Sequence, residues 1–131
     1  MGKRTTARRL AMQALYQSEI SKTDIDQALD NLFEEEGIPE ETQIFARHLA
    51  KEAQNNKDKL DSKITEFSKN WSIDRINMIN KSILRLAFYE LLFEKDTPKP
   101  VVINEALELA KKYSDEESAK FINGILGSAV V

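Results

Sequence analysis

Only four glycines and three prolines interrupt 131 residues, so most of this chain must run in long, unbroken segments. Glycine and proline are the strongest local breakers of regular structure, and here they are too few to delimit many short strands. Between them, helix formers dominate. Apolar residues recur at steps of three and four, and no run keeps the two-residue alternation of a half-buried strand for long. The pattern predicts an all-α fold.

The first helix is expected over about Thr6 to Ile20, with Ala7, Leu10, Ala11, Ala14 and Leu15 on one face. A second should begin near Asp24, where Asp24 and Gln27 have capping-box spacing, and run to Gly37. Pro39 suits the first position of a third helix, with Glu40 and Glu41 at its positive end. The polar run Gln54-Asn55-Asn56 is expected to break or bend it. Beyond, Leu60, Ile64, Phe67 and Trp71 step by four, three and four as a core stripe. Ser72 is the expected cap of the next helix, which carries Ile76, Ile79, Ile83, Leu84, Ala87 and Leu91. Asp96 to Pro100 reads as a loop, followed by a helix from about Val102 to Tyr113. Ser114 then opens the last helix, with Glu117 at the reciprocal capping position. Gly124 and Gly127 within it imply close packing against a neighbour.

With 41% hydrophobic residues the chain can build a real core. It is expected to form one domain, 1–131, with helical halves at about 1–71 and 72–131. No cysteine is present, which removes disulfides, thiolate metal sites and cysteine nucleophiles. No stretch approaches the roughly 18 apolar residues that span a bilayer, so no membrane role and a cytoplasmic location are expected. Catalysis is not expected either. There is no glycine-rich phosphate loop and no nucleophile elbow. The single histidine, His48, has Glu52 four residues on, but two ligands do not make a metal site. No cofactor is expected.

The net charge of −3 hides an asymmetry. Lys3, Arg4, Arg8 and Arg9 stand among the first 18 residues with no acid, so the rest of the chain is strongly acidic. Local fields, more than the total, decide where a polyanion docks. On a helical wheel Arg4 and Arg8 flank the apolar face, while Thr5, Arg9, Met12 and Tyr16 fall opposite it. Guanidinium groups fork onto phosphate oxygens, and an exposed phenol ring offers a stacking platform to an unpaired base. That pairing suits single-stranded RNA. A solvated basic face, with the tyrosine tucked under a neighbour, fits the same spacing. So does docking on an acidic protein or on DNA.

Four segments carry a resemblance to a known family. Ala7 to Gln17 (ARRLAMQALYQ), Ile83 to Leu91 (ILRLAFYEL), Val102 to Lys112 (VINEALELAKK) and Lys120 to Leu126 (KFINGIL) together resemble the signatures of the NusB family, in its order and at its spacing. The resemblance covers essentially the whole chain and implies two packed three-helix-type bundles, about six to seven helices. It implies transcription antitermination: binding of boxA RNA together with the ribosomal protein NusE, within a transcription elongation complex, notably on ribosomal RNA operons.

By the same resemblance, the RNA-binding positions are Lys3, Arg4, Arg8, Gln13 and Tyr16 on the first helix and Lys120 and Phe121 on the last. Phe121 is also open to an ordinary core role. Thr5 and Thr6 stand where some relatives carry further arginines, and Arg9 is an extra cation without an assigned use. Towards NusE the resemblance implies Glu117, with helix capping as the competing role, and Asn80, where some relatives present a glutamate. Arg85 is expected to pair with an acidic neighbour, and Asn104 and Asn123 to hydrogen-bond within the fold. Three alternatives stand beside this reading: a homodimer that buries the RNA face, a DNA-binding regulator, and the helical domain of an RNA cytosine methyltransferase. The chain holds no nucleotide-cofactor domain to support the last.

Overall fold

The computed structural model describes residues 2–69 and 71–130, which form seven α-helices with no strand among them. In order they are α1 (Lys3–Ser21), α2 (Ile25–Glu36), α3 (Glu40–Asn55), α4 (Lys57–Ser68), α5 (Met78–Phe93), α6 (Lys99–Tyr113) and α7 (Glu116–Ala129). A single 3-10 turn, Ile73–Arg75, precedes α5. The all-α expectation and the helix number both hold.

α1 packs on α2 and α3, while α4, α6 and α7 gather around α5. α5 also touches α1 and α3, so it joins the two groups, and one apolar core runs through both. Its sequence explains that position: every residue from Ser82 to Glu90 is buried, as in a helix surrounded by protein. The division expected after residue 71 lies earlier by packing. α4 sits with α5 and α7, and the chain changes group at Asn56. There the polar run ends α3, and both the backbone N–H and the side-chain amide of Asn56 donate to the Glu52 carbonyl, at 3.1 and 2.8 Å.

Several helix ends differ from expectation for local reasons. Asp24 does cap α2, accepting from the N–H groups of Asp26 and Gln27. Ser72 does not cap α5; the Asn77 side chain does, accepting from Asn80 N–H at 2.8 Å. α6 starts at Lys99, because Pro100 falls in its first turn, where the missing N–H has no intrahelical partner to lose. Asp115, not Ser114, caps α7, accepting from Ser118 N–H at 2.6 Å. Ser114 instead donates its hydroxyl to Ser118 Oγ at 2.8 Å. The capping role of Glu117 therefore falls away, and its side chain is exposed. Trp71 lies beyond α4, which stops at Ser68 with Lys69 in positive φ, and the residue is 49% exposed instead of closing the core stripe. Gly124 and Gly127 have nothing within 4 Å of a would-be Cβ, so close packing is not their role. Asn104 and Asn123 are exposed, not internal hydrogen-bonding groups.

Two buried guanidinium groups fasten the helices. Arg8, on α1, forks onto Glu90 of α5 (Nε to Oε2 2.9 Å, Nη2 to Oε1 3.0 Å) and donates from Nη1 to Glu105 of α6 at 2.9 Å. Thr5 Oγ1 closes on the same Glu105 oxygen at 2.6 Å. Burial opposes the Arg8 charge, but the two carboxylates outweigh it and hold the guanidinium above its ordinary pKa. Arg85 pairs as expected with acidic neighbours: it forks onto Asp61 of α4 at 2.7 and 2.9 Å and reaches Glu19 of α1 at 3.2 Å. Lys57 completes this second node, 2.9 Å from Glu19.

Removing one partner of a buried pair costs more than the pair contributes, because the other charge is left in low dielectric. Glu90 is 2% exposed, so Arg8→Ala is expected to lose about 3–5 kcal/mol in denaturant melts. Arg85→Ala should cost less, about 1–2 kcal/mol, since Asp61 and Glu19 stay within reach of water. Equal losses at the two sites would contradict this assignment. The Lys57 ammonium, aided by Arg85, holds the Glu19 carboxyl below its ordinary value despite partial burial. Its stabilising contribution is thus present above the unfolded carboxylate value and lost as pH falls through the lower folded one. Thermal melts taken from neutral to acid pH should show a smaller acid loss for Glu19→Gln than for the parent chain.

Candidate nucleic-acid interface

The N-terminal cations do not form the single patch that their helical spacing suggests. Arg8 is 4% exposed and fully engaged by Glu90 and Glu105, so the expected phosphate contact is corrected to a structural role. An arginine flanking an apolar face looks solvated on a wheel, but here α5 and α6 close over that flank with two carboxylates. Lys3 and Arg4 are exposed and point to α3. Lys3 Nζ meets Glu41 at 2.7 Å, and the Arg4 guanidinium lies 3.8 Å from the Phe45 ring centroid. Arg9 turns to α2, forking onto Glu36 at 2.7 and 3.0 Å, and donates to Gln13 Oε1 at 3.1 Å. The Glu36 contact, above all others, holds the Arg9 pKa up.

Tyr16 is half-buried: neither sealed in the bundle nor standing free. With Gln13 it lines a cleft of about 470 Å³ whose other walls include Met12, Leu32, Ile79 and Tyr113. Met12, expected on the polar side, is buried beneath it because α1 is covered on more than one face. Arg4 lies twelve residues from Tyr16, roughly 18 Å along the helix at about 1.5 Å per residue, so the two share no immediate surface.

A second cleft, of about 660 Å³, gathers residues from the turn before α5, the start of α5 and the start of α7. It brings together Asn80, Glu117, Lys120 and Phe121, four positions separated by up to 41 residues in sequence. Trp71 stands edge-on to Phe121, ring centroids 5.8 Å apart and planes at 68°. Phe121 is half-buried, packing on the core while lining the cleft. Arg75 and Lys120 supply exposed cations, while Asp115 and Glu117 supply exposed carboxylates. The backbone N–H of Ser118 holds Asp115 below its ordinary pKa, which keeps it charged.

Asn80 sits in the wall of this cleft, 5% exposed. Its amide nitrogen donates to Ser118 Oγ at 2.9 Å, but its Oδ1 is buried with no partner among the described residues. A buried acceptor without a donor is costly. The two clefts draw on neighbouring residues of the chain. Ile79 of the first and Asn80 of the second are consecutive on α5, and Tyr113 and Asp115 flank the joint between α6 and α7.

Sequence reasoning missed Trp71 and Arg75 as surface groups. Trp71 completed an apolar step pattern, and no glycine or proline announced the end of α4. His48 does not pair with Glu52. Its Nε2 lies 2.8 Å from Glu94 Oε2, which also accepts from the Tyr89 hydroxyl at 2.8 Å. Among the described residues no group of three or more candidate ligands is placed to hold a metal ion, and no helix is long and apolar enough to cross a membrane.

Comparison with known proteins agrees with this architecture. The transcription antitermination protein NusB of Clostridium botulinum (strain Loch Maree / Type A3) is 40% identical over 139 residues, covering 97% of this chain and 99% of the relative. The solved structure of T. maritima NusB aligns at a TM-score of 0.88 and 36% identity, covering 98% of this chain and 89% of that one. A chain in the crystal structure of antitermination factors NusB and NusE in complex with double-stranded RNA aligns at a TM-score of 0.90 and 30% identity, covering 98% and 96%. The family model described as the NusB family matches residues 5–130, and this chain belongs to that family.

Proposed function

We propose that this protein is a transcription antitermination factor, an adaptor without catalysis that holds a boxA-type single strand of RNA together with NusE and so promotes read-through by RNA polymerase, notably on ribosomal RNA operons. The family relationship supports the antitermination role. The observation that carries RNA binding is the second cleft, where two aromatic rings and two exposed cations converge. Stacking takes any base, and charge takes the phosphates.

In this proposal Trp71 and Phe121 hold an unstacked base, and Lys120 and Arg75 hold its flanking phosphates. Tyr16 and Gln13 take a neighbouring nucleotide in the first cleft. Lys3 and Arg4 contribute exposed charge at the far end of α1, where the pair with Glu41 is between solvated groups and exchanges readily. Arg8 contributes scaffold only. Glu117, exposed beside the cleft, faces NusE, and Asn80 meets that interface without the charge some relatives carry. NusE adds contacts to the same strand, so the pair binds RNA more tightly than either protein alone.

The decisive measurement is a titration of labelled boxA RNA, with and without NusE, against a scrambled strand and a duplex of the same sequence. Tighter binding of boxA in the presence of NusE is expected; an affinity that NusE leaves unchanged would sink the adaptor role. Trp71→Ala and Phe121→Ala should each weaken binding by about 1–3 kcal/mol with little change in salt dependence. Tyr16→Ala should act in the same direction, more weakly because its ring is half covered. If the Trp71 variant binds like the parent chain, the second cleft is not the base site.

A further inference from the structure

We propose that the groove between the first half of α1 and the last half of α6 is a track for the RNA phosphate backbone, with Lys111 and Lys112 as its cations. This rests on the RNA reading above and extends it along a surface outside both clefts. The groove encloses about 500 Å³, and its lining includes Thr5, Thr6, Arg9, Glu108, Lys111 and Lys112. It runs into the Tyr16 cleft by two links. Arg9 bonds to Gln13, and Tyr113, the residue after Lys112, forms a wall beside Tyr16.

Among the cations lining this groove, the two lysines are the least engaged. Of the other cations on this groove, Arg8 is held by Glu90 and Glu105, and Arg9 by Glu36. Lys112 is exposed and has no ion-pair partner among the described residues; its Nζ lies 5.4 Å from the Tyr113 ring centroid. Lys111 meets Glu108 at 3.7 Å, one helical turn away and between exposed side chains, a contact that holds it weakly. Lysines in a last helical turn also offset the negative end of the helix. That local role requires no groove, no hydroxyl-bearing wall opposite, and no continuity with an aromatic cleft. A strand whose base enters the Tyr16 cleft has its phosphates at hand for flexible ammonium groups on the next turn. An acidic peptide would meet the lysines but leave the aromatic cleft unused.

The test uses the full chain with NusE and labelled boxA RNA across a salt series, comparing the parent with Lys111→Gln/Lys112→Gln. The double variant should bind more weakly, with a log–log salt slope shallower by about 1.4, taking about 0.7 per contact on a single strand. Its melting temperature and the penalty of Trp71→Ala should stay unchanged, and Lys111→Arg/Lys112→Arg should restore the slope. Replacing flanking phosphodiesters by neutral methylphosphonates should weaken the parent complex and leave the variant complex unaffected. A parental slope in the double variant overturns the track while the RNA reading survives. Weaker binding of NusE with an unchanged RNA slope also overturns it, assigning the lysines to a protein partner. Failure of the parent chain itself to bind boxA defeats the reading on which the track rests, before any variant is made.

Discussion

The bundle depends first on the contact between Arg8 and Glu90, which joins the helix carrying the basic arm to the most deeply buried helix of the chain. Both side chains are almost fully out of water. Each charge is tolerable only because the other is there, with Glu105 and Thr5 satisfying more of the bonding capacity. The fork has a fixed geometry, so it sets how α1 is rotated and shifted against α5 and α6. Arg85 repeats the device between α5, α4 and α1 at a wetter site. Apolar burial supplies the drive to collapse, and these two planar groups select one arrangement of helices that could otherwise slide past one another.

That selection positions the interface. Once α1 is fixed on α5 and α6, Tyr16 and Gln13 face the start of α5 and the end of α6. The α6–α7 joint then brings Lys120 and Phe121 against the segment that carries Trp71 and Arg75. Ser118 has a particular place here. Its N–H is taken by the Asp115 cap and its hydroxyl by Ser114 and Asn80, so the start of α7 is tied to the start of α5. The same tie leaves Asn80 Oδ1 without a donor inside the protein. One small polar knot thereby anchors the helices at the wall of the cleft.

The acidic body also acquires a physical sense. Glu36, Glu41, Glu90 and Glu105 hold most of the N-terminal cations close to the protein. The surface is therefore one in which cations are separated by paired carboxylates, not an open basic plane. On such a surface few cations are left free to neutralise a polyanion's phosphates.

The helices, their number and most of their boundaries could be read from the sequence, because breaker spacing and a three-to-four-residue apolar period are local properties of a chain. The Asp24 cap and the break near Asn56 were legible for the same reason. Family motifs named the positions that later converge in the second cleft, but not their convergence. Whether Arg8 was a solvated cation or a buried one, whether Trp71 closed the core or lined a cleft, and whether Glu117 capped a helix were decided only by tertiary structure. Each depends on which partner arrives from a distant part of the chain: Glu90 for Arg8, Phe121 for Trp71, and the competing cap Asp115, which formed where Ser114 was expected. Periodicity tells a residue which face of its own helix it occupies. Packing alone tells it what that face will meet.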